Sequence, residues 1–362
     1  MRKLMLLILF ILLLGCKEKS IRESEIESLN ADSLINEIET EEPFVFHEEN
    51  EPLQNERIEP VQVSEADFII DEAGVITGYN GPENVALVIP ATIDGLAVTA
   101  ISARVFSTVG LTSLIMPNTI LSIGNAAFDN NTLISVTLSN SLTSIGNVAF
   151  ALNRLSSIII PESVTFIDSG AFLNNLLTSV AIPDSVTDTG MGVFSSNQLK
   201  AVTISRSMPY IREALFAGNQ LTSVTLPNNI VYIGIDAFAN NKLALVVIPD
   251  SVTRIDRNAF AKNELTSIVI PDSVTSINGG AFNNNQLARI TIGAGVSTGS
   301  NMTELGGPPS DDETALVTPF RDGWYEYHYF VPAFDNDFDA FYEANSRQAG
   351  TYVFYNGEWN IE

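Results

Sequence analysis

Four sets of residues in this chain have types and spacings that invite a chemical reading. Cys16 is the only cysteine, so no disulfide framework, zinc cluster or second thiol nucleophile is available. Glu162, Asp184, Asp250 and Asp272 each follow a proline and recur in multiples of 22 residues. Carboxylates in register could do acid–base work or hold calcium. However, Asn118, Asn140, Asn228 and Arg206 occupy the same position elsewhere. Exchange of Asp for Asn and Arg fits turn chemistry better than catalysis. His328 is the one histidine outside the acidic N-terminal stretch, and it sits among Tyr327, Tyr329 and Phe330 without a triad motif. Trp324, Tyr325, Tyr327 and Trp359 form the fourth set: aromatic contacts for a sugar or partner, or simply the core of a small module. Neither a catalytic set nor a metal or cofactor site emerges, and the chain reads as non-enzymatic.

These residues must be positioned by something, and the sequence says what. Leucines fall at 111, 133, 155, 177, 199, 221, 243, 265 and 287, always 22 apart. Phenylalanines from Phe106 to Phe282 and asparagines from Asn131 to Asn285 keep the same period. A repeat of this length marks a solenoid, whose units bury their apolar faces only against one another. In the unit beginning Leu265, Ile268 and Ile270 alternate with Ser267 and Val269, the pattern of a strand with one face buried. Pro271 ends the strand, Asp272-Ser273 turns, and Val274 and Ile277 point back inward. The asparagines are expected to stack inside the coil and satisfy backbone groups of neighbouring turns. Thirteen residues after each leucine stand Gly124, Gly146, Asp168, Gly190, Arg212, Gly234, Asp256 and Asn278, a composition that predicts a backbone held at positive φ.

The outward strand positions are small, hydroxyl-bearing or β-branched. Ser135, Thr137, Ser157, Ile159, Ser179, Thr203, Ser223, Thr225, Ser267 and Val269 form the candidate binding face. It carries almost no charge and no aromatic ring. One stretch breaks the pattern: Thr189 replaces a core Ile, Val193 and Leu215 replace the Ala before Phe, and Met208-Pro209-Tyr210 interrupts the turn. Drift accounts for this, or a kink or contact point near 188–212.

Charge and the two ends complete the plan. The net charge is −25, with 16 acids against 4 bases in 17–67, whereas 111–292 is nearly neutral. Nucleic acid and anionic membrane surfaces need clustered Lys and Arg and are poor partners. Arg2-Lys3 and the apolar run Leu4 to Leu14 read as an export signal over 1–15. That run is too short to span a bilayer: as a helix it covers about 16 Å of a core of about 30 Å. Leu13-Leu14-Gly15-Cys16 resembles a bacterial lipobox, which implies diacylglyceryl attachment at Cys16 and a bacterial envelope location, outer membrane or cell surface, with a periplasm-facing site as the alternative. Residues 16–67 then read as an acidic tether, 68–110 as an N-terminal cap with a first coil, 111–296 as the solenoid, 297–319 as a flexible connector and 320–362 as an aromatic-rich module. In that last segment Phe334, Phe338, Phe341 and Tyr342 lie on one helical face, and Tyr352 to Ile361 reads as a hairpin turning at Asn356-Gly357.

The pattern L-x-x-[VI]-x-I-P-x-S-[VI]-x-x-I-x-x-x-A-F-x-x-N, over about 87–292, resembles the BspA-like (treponemal-type) leucine-rich-repeat family of surface lipoproteins. The resemblance implies a curved, β-rich leucine-rich-repeat solenoid of 22-residue repeats, with a β-rich N-terminal cap and a small α+β C-terminal module. It further implies an exported bacterial surface protein that binds an extracellular or envelope protein or glycan, several such proteins being adhesins. A structural envelope component acting by self-association or spacing is the alternative.

Overall fold

The computed structural model describes residues 63–298, 318–319, 325–326, 338, 342, 344–355 and 358–362. Within them the 22-residue unit forms one coil with three sides. The first side is a ladder of short parallel strands: Ser113–Ile115 on Ser135–Thr137, Ser179–Ala181 on Ala201–Thr203, Ser223–Val224 on Leu245–Val246, and Ser267–Val269 on Arg289–Ile292. It follows the expected alternation, with Ile268 buried between Ser267 and Val269.

The second side is a further parallel ladder that hydropathy alone does not announce. Its strands are two residues long, as at Ser122–Ile123, Ser144–Ile145, Phe166–Ile167 and Asp188–Thr189. It resumes from Tyr210–Ile211 through Tyr232–Ile233, Arg254–Ile255 and Ser276–Ile277 to Ser297–Thr298. Two residues are too few to display a period, so Ile277 reads in sequence only as a residue turning inward.

Phenylalanines line the third side from within. Phe106 to Phe282 are fully buried, with successive ring centroids 5.1–6.0 Å apart and interplanar angles of 0–19°. Backbone here is left-handed at two positions per coil. One column runs Arg104, Ala126, Val148, Gly170, Gly192, Ala214, Asp236, Asn258, Gly280; the other runs Thr108, Asn130, Leu152, Asn174, Ser196, Gly218, Asn240, Lys262, Asn284. The expectation that the glycine column at 124, 146, 190 and 234 holds positive φ is therefore wrong, since none of these has it. Those glycines answer a different need. A Cβ on Gly124 would lie 2.6 Å from Ala103 N, and one on Gly190 would lie 2.2 Å from Ser169 N, so the column is set by the close approach of adjacent coils.

The asparagine column meets its expectation. In each coil from Asn131 to Asn285 the Oδ1 accepts the N–H of the leucine 20 residues earlier at 2.9–3.0 Å. The Nδ2 donates to the carbonyls of two phenylalanines, one in the previous coil and one in its own. One side chain thus satisfies three buried backbone groups across a junction.

Both ends of the stack are covered. Phe68–Ile70 pairs antiparallel with Val75–Tyr79, and Phe68 and Tyr79 pack on Phe106 with centroids 6.3 and 5.1 Å away. The five extra residues of the first coil make a two-strand hairpin, Thr92–Ile93 with Leu96–Ala97, turning on Asp94 and Gly95, both at positive φ. At the other end Gly350–Tyr355 lies antiparallel on Arg289–Ile292 and is paired in turn with Glu358–Ile361. Phe338 and Tyr342, both helical, and Tyr352 and Trp359 form a buried aromatic cluster beneath this hairpin. The Tyr342 hydroxyl donates to Gly293 O at 2.5 Å, which ties the cluster to the last coil. Phe334, Phe341 and residues 299–317 of the connector fall outside the described residues, while its first two residues, Ser297–Thr298, are not connector but the last rung of the second ladder.

Candidate functional site

The first ladder presents every outward residue that the repeat phase selects. Ser135, Thr137, Ser157, Ile159, Ser179, Thr203, Ser223, Thr225 and Val269 are exposed, and Ser267 is half-buried. Ser157 and Ile159 lie in a stretch that pairs with neither neighbouring strand, so the ladder is interrupted at that coil. The surface is more apolar than its serines suggest. Ile159 is 84 % exposed and Val247 69 %, with Val88, Ile115, Leu245 and Val269 also open to solvent. Leu245 and Val247 were not among the candidate residues, although the phase that selects Ser223 and Thr225 selects them too. Leucine and valine there break a column of hydroxyls, and that break was the available signal.

The remaining candidates divide sharply. Trp359 is only 6 % exposed and packs edge-on against Phe338 at 4.9 Å and at a tilt against Phe354 at 5.3 Å. It is core, not a contact residue, because the hairpin that carries it closes the last coil. Tyr325 lies in a short strand paired with Thr318–Pro319. Cys16, Trp324, Tyr327 and His328 fall outside the described residues. At the position of the carboxylate row, Asn118 Oδ1 accepts the Asn140 N–H at 2.9 Å and Asp184 Oδ1 accepts the Arg206 N–H at 2.8 Å, each linking the turns of successive coils. Among the described residues no group of His, Cys, Asp and Glu is placed to hold a metal ion.

The irregular stretch 188–212 turns out to be a defect in the second ladder. At every other described junction from Leu121 to Ser297 a backbone N–H donates 22 residues back, as from Thr187 to Thr165 O and from Val231 to Pro209 O. Pro209 has no N–H, so the bond to Thr187 O cannot form. A second bond, from the residue after the strand to the carbonyl 23 residues earlier, joins Gly190 to Ile167 and Gly234 to Ile211 but not Arg212 to Thr189. Side chains cross the gap instead. Arg212 makes a bidentate pair with Asp188 at 2.9 and 2.6 Å, and Arg206 Nε and Nη2 both donate to Asp184 Oδ2. The Arg212 hydrogen bond holds the Asp188 carboxyl below its usual range. Two coils on, Asp256 accepts from Tyr232 Oη, Arg254 and Asn278. Burial pushes that carboxyl up, yet these bonds together pull it below the ordinary value. Burial, then the bond to Asp256, pushes the Tyr232 phenol well above its own.

Comparison with known proteins agrees with this architecture. A model described as the BspA type leucine rich repeat region matches six copies over residues 91–200 and 187–303. A leucine-rich repeat protein from Bacteroides ovatus is 26 % identical, with a TM-score of 0.56 over 64 % of this chain and 66 % of its own, a little under two thirds of its length. A leucine rich cell surface protein from Faecalibacterium prausnitzii is 25 % identical over 63 % of this chain and 87 % of its own, with a TM-score of 0.31. The T. pallidum leucine rich repeat protein is 25 % identical over 49 % and 88 %, with a TM-score of 0.40. No curated protein shows a significant match.

Proposed function

The chain belongs to the BspA type leucine-rich-repeat family, and from that premise we propose that it is a non-catalytic cell-envelope lipoprotein that binds a protein or glycan partner through its first ladder, in the manner of an adhesin. Leucine-rich-repeat folds often bind proteins or glycans, and stacked coils create broad surfaces for doing so. One observation carries the reading: the first ladder sets solvent-exposed aliphatics, Ile159 and Val247 foremost, in a field of Ser and Thr whose one charged strand position, Arg289 at the C-terminal end, is paired with Glu362. Exposed apolar groups on an otherwise well-covered coil are the composition of an interface and not of a solvated face. Their chemistry favours a protein partner over a sugar on this side. Lipid at Cys16, on the strength of the lipobox pattern, would hold the solenoid at a membrane through two acyl chains and an acidic tether.

Capture from envelope extracts on the immobilised full chain tests the binding claim. A double variant, Ile159→Glu with Val247→Glu, should lose the captured partner while keeping the parent's thermal transition. If the parent instead assembles with concentration in sedimentation and the double variant does not, the surface serves self-association and spacing. Mass spectrometry of the membrane-extracted protein, with Cys16→Ser as control, tests the anchor. Protease added to intact cells should remove the solenoid; full protection would place it inside the envelope.

A further inference from the structure

The second ladder carries a different surface, and it centres on the defect. One outward column runs Phe166, Asp188, Tyr210, Tyr232, Arg254, each one coil from the next. Phe166 is 38 % exposed and Tyr210 39 %, whereas other coils place Ser122, Ser144 and Ser276 at this position. The polar groups between and beside the rings are fixed. Arg212 lies over the Tyr210 ring, 5.1 Å from its centroid, and is clamped by Asp188. Arg254 lies 5.6 Å from the Tyr232 centroid and is clamped by Asp256. The Tyr210 hydroxyl makes no hydrogen bond among the described residues, whereas that of Tyr232 is spent on Asp256. At the same junction Pro209 leaves Thr187 O without the N–H that its counterparts receive.

We propose that this surface, from Phe166 to Arg254, is a second binding site, distinct from the first ladder, and that its ligand is a neutral glycan. Two exposed rings about two strand spacings apart, roughly 10 Å, offer apolar platforms for the C–H faces of sugar rings. Between them stand guanidinium and carboxylate groups already held in place, the few oriented polar groups that a hydroxyl-rich ligand needs. Charge decides the class. Arg206, Arg212 and Arg254 are each paired with one carboxylate, Asp184, Asp188 and Asp256. An anionic polymer would have to break those pairs and meet Glu213 as well, and the chain's net charge of −25 would repel it. A cationic partner would find no unpaired carboxylate at Asp188 or Asp256. An uncharged polyhydroxyl chain disturbs none of them.

Titration calorimetry of the full chain with neutral hexasaccharides of glucose, mannose and xylose, and with polygalacturonate and heparin as charged counterparts, tests the assignment. At least one neutral hexasaccharide should bind. Tyr210→Ala should weaken it about tenfold, the loss of one stacked ring, and Tyr210→Phe should not. Arg212→Met reads the same site from its polar side and should also weaken binding. Ile159→Glu with Val247→Glu should leave the affinity unchanged, which separates this site from the first ladder whatever becomes of that surface. The proposal is overturned if no neutral saccharide binds, if only the charged polymers bind, or if Tyr210→Ala and Arg212→Met both bind as the parent does.

Discussion

The junction between the coils of Phe172 and Phe194 and the junction between those of Phe194 and Phe216 are copies of one design held by different means. In the first, both regular backbone bonds of the second ladder are present, from Thr187 to Thr165 O and from Gly190 to Ile167 O. In the second, both are missing, the phenylalanine spacing reaches its maximum of 6.0 Å, and two Arg–Asp pairs span the gap. The phenylalanine side continues across both; the first ladder continues across the second but is interrupted at the first, where Ser157–Ile159 is unpaired. A solenoid therefore tolerates loss of one of its three sides at a single step, provided the other two are intact. What the step gives up in backbone bonding it offers to solvent as side-chain chemistry.

The largest effect expected from that comparison lies in the core. Phe238→Ala, in a regular stretch, should cost about 3–5 kcal/mol in urea unfolding, because a stacked ring is lost to both neighbours. Phe216→Ala, beside the weakened step, should in addition split the transition in two; a single sharp transition would show that the defect does not divide the stack. Next comes Asn241→Leu, similar in volume, which strands the Leu221 N–H and the Phe216 and Phe238 carbonyls and should cost roughly 2–3 kcal/mol. A loss near zero would mean that water reaches those groups. Restoring the regular step with Pro209→Thr and Arg212→Gly together should gain only about 1 kcal/mol, since a recovered backbone bond is partly offset by a freer unfolded chain and a lost ion pair. Native-state hydrogen exchange of the amides at positions 209 and 212 should then match that at Thr187 and Gly190.

Acid supplies the smallest test. The folded Asp188 carboxyl titrates below its unfolded value of about 3.9, so the Arg212 pair contributes fully above about pH 4 and is lost as pH falls through the lower folded value. Exchange at the defect should rise in that window before it rises at regular junctions. The pair is more than a third exposed, so the effect is modest.

Much of this was legible in the residues themselves. Leu, Phe and Asn at one period reveal the coil, because each lies buried and no substitute packs or bonds as well. That 188–212 is irregular was legible too, but only as an interrupted turn, because the ladder in which Pro209 removes a donor was not itself visible. The second ladder was not, because Ser276–Ile277 is too short to show alternation. Nor was the reason for Gly124, because a glycine demanded by a neighbour's backbone and one demanded by positive φ are the same letter. The left-handed positions hid behind Ala126, Val148 and Leu152, residues that do not favour that conformation and are held there by closure of the coil. Trp359 looked like a contact because aromatic content is blind to which face a hairpin turns inward.

The asparagine of each coil donates its side-chain amide to the phenylalanine carbonyl of the coil before, 25 residues earlier. No coil is thus complete when its own last residue has left a ribosome or a membrane channel. Phe216 O acquires this partner only when Asn241 of the following coil has emerged, and Phe238 O only with Asn263. During synthesis or export the growing tip is always one turn short of finished, and the order in which the stack sets is written in the direction of the chain.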